Sequence, residues 1–199
     1  MSTRVIGITG GVGMGKSTTA KLLREQGVPV VDSDDLARAV VALGEPALAE
    51  IAGQFGSDFL NAQGEMDRAK MAAHIFSNTT EREKLESIIH PRVRERWRSE
   101  IKKWRAAGQG GVVVIPLLFE VGAAENFDIT LCVACSQATQ LERLHERGWS
   151  NDHIGQRIAA QLSIEVKMER ADHVLWNEGN LESLRAQLAR LGCVQKISS

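Results

Sequence analysis

The sequence predicts an α/β fold, a parallel β-sheet between two layers of helices, with a helical insertion in its first half. Two observations carry this. Short apolar runs at residues 5–9, 28–32, 112–116 and 129–134 have strand length and mark strands buried on both faces. The order strand–loop–helix–strand across residues 5–32 is a βαβ unit, which requires parallel pairing through a right-handed crossover.

The elements follow in order. Val5-Ile-Gly-Ile-Thr9 is the first strand, and a glycine-rich loop succeeds it at once. Residues 17–26 read as a helix with Ala20, Leu22 and Leu23 as apolar contacts and Gly27 at its stop. Residues 28–32 form a second strand that ends in acids. From residue 34 to about 107 the character changes. Segments 36–41, 46–53, 68–76, 81–89 and 93–104 have helical period and no strand-like run interrupts them. Gly108-Gln-Gly-Gly111 closes this insertion. Strands return at 112–116 and 129–134, and residues 137–146 and 151–167 are helical. Residues 171–176 give a last strand and 181–191 a closing amphipathic helix. The expected organisation is a core of residues 1–33 and 108–199, with an insertion at 34–107.

At 199 residues the chain can hold one substantial core. It carries 24 basic and 25 acidic residues for a net charge of −1, a balance that argues against nucleic acid or an anionic membrane as partner. Residues 1–4 lack the charged start and apolar core of a signal peptide, and no apolar run spans a bilayer. The expectation is a cytoplasmic monomer. Three cysteines fit a reducing compartment. Cys132 and Cys135 form a C-x-x-C within a strand-like run. Side chains three apart on a strand face opposite ways, so these read as buried thiols rather than a metal site.

Gly10-Gly-Val-Gly-Met-Gly-Lys-Ser17 matches G-x-x-x-x-G-K-[ST], the phosphate-binding P-loop. Polyphosphate must be wrapped by backbone N–H groups, and glycine lets the chain approach it closely. The loop then delivers phosphate to a helix N-terminus, where orphan N–H groups and the dipole favour anions. Gly11, Gly13, Met14, Gly15, Lys16, Ser17 and Thr18 are the expected ATP-binding residues. Lys16 reaches the β- and γ-phosphates, and the Ser17 hydroxyl can ligate Mg²⁺. A GTPase would need N-K-x-D after a later strand, and the nearest candidate, Asn177-Glu-Gly-Asn180, lacks both Lys and Asp.

Asp32-Ser-Asp-Asp35 follows the second strand, at the sheet edge where such acids face a ligand crevice. A carboxylate there can orient an attacking alcohol and accept its proton. The same residues can cap the helix that begins near Leu36. Both readings stand on the residues alone.

Val31-Asp-Ser-Asp-Asp-Leu-Ala-Arg38 resembles the D-x-D-x-x-A-R segment of dephospho-coenzyme A kinases. The P-loop from Thr9 resembles that family's version. Ile89-His-Pro91, Ile115-Pro-Leu-Leu-Phe-Glu120, Arg157-Ile-Ala-Ala-Gln161, and Ala171-Asp172 with Asn177-Glu-Gly179 match further family motifs in the same order. The resemblance implies a P-loop NTPase-type three-layer sandwich with a helical insertion that binds coenzyme A and a lid. It also implies transfer of the ATP γ-phosphoryl group to the ribose 3′-hydroxyl of dephospho-coenzyme A. By that resemblance Asp34 is the base and Asp32 the outer-sphere metal partner close to the substrate. Arg38, His90 and Arg157 bind the substrate. Two departures stand out. Met14 occupies a place where the family carries a small residue, and Val114 one where many members carry an acid.

Glu142-Arg-Leu-His-Glu-Arg147 precedes Gly148, a hinge into a lid of residues 148–166. Arg143 and Arg147 share a helical face. Fixed arginines lower the barrier of phosphoryl transfer, and by resemblance Arg147 is the catalytic one. His90 before Pro91 also reads as a helix-end histidine. Trp97 and Trp104 lie seven apart and read as packing residues. The competing readings are another small-molecule or nucleotide kinase, and a nucleotide-dependent switch without turnover.

Overall fold

The computed structural model describes residues 4–76 and 78–191, so the third cysteine, Cys193, lies outside the described residues. Five strands, β1 (Val5–Gly10), β2 (Val30–Asp32), β3 (Gly111–Val114), β4 (Ile129–Ala134) and β5 (His173–Trp176), form one sheet in the order β2-β3-β1-β4-β5. Every pairing between these strands is parallel, as the βαβ pattern requires. The chain divides into two compact units, residues 1–32 with 101–199, and residues 33–100.

In the first unit, α1 (Lys16–Glu25) and α9 (Leu181–Arg190) cover one face of the sheet. Ala20, Leu22, Leu23, Leu184 and Leu188 pack there on Ile6, Ile8, Leu131, Val133 and Leu175. Side chains alternate along a strand, so Cys132 and Ala134 point the other way. On that side Ala134 and Cys135 pack with Met14, Ile164 and Met168, which brings in α8 (Ile164–Arg170). The remaining helices of this unit are α6 (Gln137–Glu146) and α7 (Asn151–Ala159). β5 is an edge strand with Val174 and Trp176 exposed. Its open backbone finds a partner in Gln187, which accepts from Trp176 N at 2.9 Å and donates to Trp176 O at 2.8 Å.

The second unit is helical: α2 (Ser33–Ala39), α3 (Pro46–Phe55), α4 (Arg68–Phe76) and the first part of α5 (Thr79–Ala106). Its buried residues include Leu48, Ile51, Met71, Leu85, Ile88 and Trp97. Arg92 and Arg96, four apart on α5, pair with Glu50 and Glu45 at 2.6 Å each.

The structure departs from the sequence expectations at several elements, among them the following. Segments 81–89 and 93–104 are one helix of 28 residues that runs through Pro91. Proline removes one N–H donor, yet buried Ile88, Val93 and Trp97 keep the apolar face continuous across it. His90 therefore lies on the exposed side of a helix interior rather than at a helix end. Residues 151–167 are two helices, because Ser163 caps a new start by accepting from Val166 N. The second strand is shorter than 28–32, since Val28 N is spent on Leu23 O and Pro29 has no donor. Trp97 and Trp104 are buried, as packing residues should be. No helix among the described residues is long and apolar enough to cross a membrane.

Candidate active site

The P-loop leaves β1 at the carboxyl edge of the sheet and enters α1. Gly15 is the last P-loop residue before α1, with φ 105° and a left-handed conformation, a geometry that L side chains resist. A Cβ there would also collide with the Asn177 amide. Lys16, the first residue of α1, folds back over the loop, and its Nζ donates to the carbonyls of Gly10 and Gly11 at 2.9 Å each. The ammonium is thus carried above the cradle. Ser17 is exposed in the first turn of α1 and Thr18 half-buried.

Three elements distant in sequence fix the loop from outside. Gln140 on α6 donates to Val12 O at 2.8 Å, and Leu144 one turn on lies against Gly13. Asn177, just past β5, donates through Nδ2 to Met14 O at 3.0 Å. Met14 is 2% exposed and packs with Ile164 and Met168 of α8. The bulky residue in the loop therefore points out of the cradle into the core, while its own N–H closes a turn on Gly11 O at 3.3 Å.

The Asn177 turn is itself tied to α6. Arg143 Nη2 donates to Asn177 O at 3.0 Å, while its Nη1 is buried without a partner. Arg143 is thus half-buried and engaged, not a solvated-face residue. Glu178 accepts from Ser136 Oγ and Thr139 Oγ1 at 2.6 Å each and from Ser136 N at 2.7 Å. These donors hold its carboxyl down at about 2.

The remaining predicted residues sit as follows. Asp32 is half-buried at the end of β2, in register with Val114 of β3 at the same sheet edge from which the P-loop leaves β1. Asp34 and Asp35 are exposed in the first turn of α2, and Arg38 in its last turn pairs with Asp35 at 3.3 Å. Arg147 ends α6 in the open, next to Gly148 with φ 77°. Arg157 on α7 donates through Nε to His153 Nε2 at 3.2 Å, and His153 stacks on Trp149. Cys132 and Cys135 are buried free thiols. Burial pushes the Cys132 thiol up to about 11, which removes it as a nucleophile.

A family model for dephospho-CoA kinase matches residues 4–183. The chain belongs to the dephospho-CoA kinase family. A relative named dephospho-CoA kinase from Geobacillus kaustophilus is 45% identical over 188 residues, 94% of each chain. A crystal structure of a Thermus thermophilus protein superposes with a TM-score of 0.77 at 36% identity, covering 96% of this chain and 99% of that one. The Campylobacter jejuni dephospho-CoA kinase, at 21% identity, shares the fold with a TM-score of 0.69 over 99% of this chain and 98% of that one. Four residues, Gln140, Glu178, Glu120 and Lys167, have no role in the sequence-based expectations yet brace the site or lie buried beside it. Glu120 and Glu178 fall within the motifs at 115–120 and 177–179, and no motif covers Gln140 or Lys167.

Proposed function

We propose that this protein transfers the γ-phosphoryl group of ATP to the ribose 3′-hydroxyl of dephospho-coenzyme A, giving coenzyme A and ADP. The observation that carries the reading is the intact P-loop with Lys16 held over it, in a chain whose family is that of dephospho-CoA kinases. In the step, the 3′-oxygen attacks the γ-phosphorus, the bond to the bridging β,γ-oxygen breaks, and the hydroxyl proton leaves to a carboxylate.

Asp34 orients the hydroxyl and takes that proton. Lys16 and the loop amides of Gly11, Gly13, Met14, Gly15, Ser17 and Thr18 hold the phosphates. Arg147 meets the charge that develops as the phosphoryl group moves. Arg38, His90 and Arg157 serve the acceptor, in keeping with residues 34–107 as the acceptor-binding insertion and 148–166 as the lid. No group of three or more His, Cys, Asp or Glu side chains converges as a metal site among the described residues. Magnesium, if it entered with ATP, would be held by the Ser17 hydroxyl, with Asp32 as its outer-sphere partner. Magnesium, when bound, neutralises phosphate charge.

The protein works in the cytoplasm as a monomer, with no nucleic acid or membrane partner, in line with its balanced charge. Mixing it with ATP, magnesium and dephospho-coenzyme A and weighing the product tests the reaction. A mass gain of one phosphoryl group on the acceptor supports it. Turnover on other alcohols or nucleotides alone points to a different small-molecule kinase, and nucleotide binding without acceptor-stimulated turnover points to a switch.

A further inference from the structure

Lys167 heads the fully buried side chains in size, at 0% exposure, and no step of the reaction uses it. From α8 its Nζ donates to Pro116 O at 2.8 Å and pairs with Glu120 Oε1 at 2.8 Å. Both acceptors have a second donor. Thr9 Oγ1 donates to Pro116 O at 3.0 Å, and Leu162 N donates to Glu120 Oε1 at 2.9 Å. Thr9 is the residue before Gly10, whose carbonyl holds Lys16. Leu162 lies in the exit of the 148–166 segment, between α7 and α8. One ammonium therefore joins the P-loop entrance, the turn after β3 and the exit of that segment.

Stability alone does not account for this arrangement. Withdrawing an ammonium and a carboxylate from water costs several kcal/mol per ion, and apolar residues of like volume often match or exceed such a pair. Its neighbours on α8, Ile164 and Met168, pack on Met14, Ala134 and Cys135, and methionine matches lysine in volume without its charge. Glu120 Oε2 is also buried without a partner, which leaves the pair incompletely satisfied. An ammonium does what methionine cannot: it fixes a carbonyl and a carboxylate at once.

We propose that Lys167 is a positioning residue for phosphoryl transfer, holding the exit of the 148–166 segment in register with the P-loop through Pro116 and Glu120. The proposal rests on the kinase reading above. With Leu162 pinned, the segment moves about its Gly148 end, where φ is 77°, and Arg157 travels on an arm with one fixed point. Loss of the pin misplaces charge in the transition state while the P-loop still binds ATP.

The test compares Lys167→Arg, Glu120→Gln and the double change Lys167→Met with Glu120→Gln, which leaves no unpaired buried charge. Melting temperature, kcat, KM for ATP and exchange of the Leu162 amide are measured on each. The double variant is expected to keep wild-type thermal stability and KM for ATP while kcat falls about tenfold to a hundredfold, the scale of an ångström misplacement. Lys167→Arg restores most of kcat, because guanidinium donates to both acceptors. Glu120→Gln loses less activity than the double variant but speeds Leu162 exchange. A folded double variant with wild-type kcat, or a loss confined to KM, overturns the proposal. Should the double variant not fold, unchanged kcat and exchange in Glu120→Gln overturn it instead. Absence of coenzyme A formation by the wild type would sink the kinase reading, a result separate from these.

Discussion

Asn177 reaches across 163 positions to the phosphate loop, its Nδ2 donating to Met14 O at 3.0 Å while its own N–H donates to Ala134 O at 2.7 Å. The side chain is 8% exposed, so removing it strands a buried carbonyl. Asn177→Ala should destabilise the protein by about 1–3 kcal/mol, the cost of an unsatisfied buried group. It should also raise KM for ATP, because Gly15 loses the amide that backs it. Denaturant melts and steady-state kinetics check both, and an unchanged KM would detach Asn177 from nucleotide binding.

Some of this site was legible in the chain and some was not, for a physical reason. The P-loop is local: eight consecutive residues specify its backbone, and Lys16 stands where the motif puts it. The βαβ order was equally local, and the sheet followed. The braces were not legible. Gln140 lies 128 positions from Val12, and nothing in a single chain announces that pairing. Lys167 pairs with Glu120 across 47 positions, a contact that leaves no periodic trace in the chain. Pro91 misled in the opposite sense. It is a strong local stop, and the packing of Ile88, Val93 and Trp97 overrides it.

The two acids at the β2–α2 junction are separable by metal dependence. Asp34→Asn should lower acceptor phosphorylation at least about a hundredfold, the low end of general-base contributions, with ATP binding little changed. Asp32→Asn should act through magnesium and recover in part at high metal concentration. The reverse pattern would exchange their roles. Mild effects in both would reduce them to helix-start residues of α2.

Arg147 ends α6 exposed beside Gly148. If its charge matters in the transition state, Arg147→Ala lowers kcat more than it weakens ATP binding. Comparing single-turnover rates with nucleotide affinity reads this directly. An effect confined to KM for ATP would make it a ground-state phosphate clamp.

Acid should loosen the Asn177 turn. Glu178 is held at about 2 against an ordinary value of 4.5. A depressed folded-state value means that its contribution is fully present above about 4.5 and lost as pH falls toward 2. The melting-temperature advantage of wild type over Glu178→Gln should therefore be flat at neutral pH and shrink across that acid window. An advantage that persists unchanged at the acid end would remove Glu178 as the strap between the turn and α6.

The thioether of Met14, lodged with Ile164, Met168, Ala134 and Cys135, binds the fate of the phosphate cradle to that of the interior. A glycine-rich loop ordinarily opens by local fluctuation at little cost. Here the opening that frees residue 14 must also unseat α8 from the end of β4. The loop's amide protons should then exchange in the same cooperative event as those of β1, so that the cradle has no melting transition of its own.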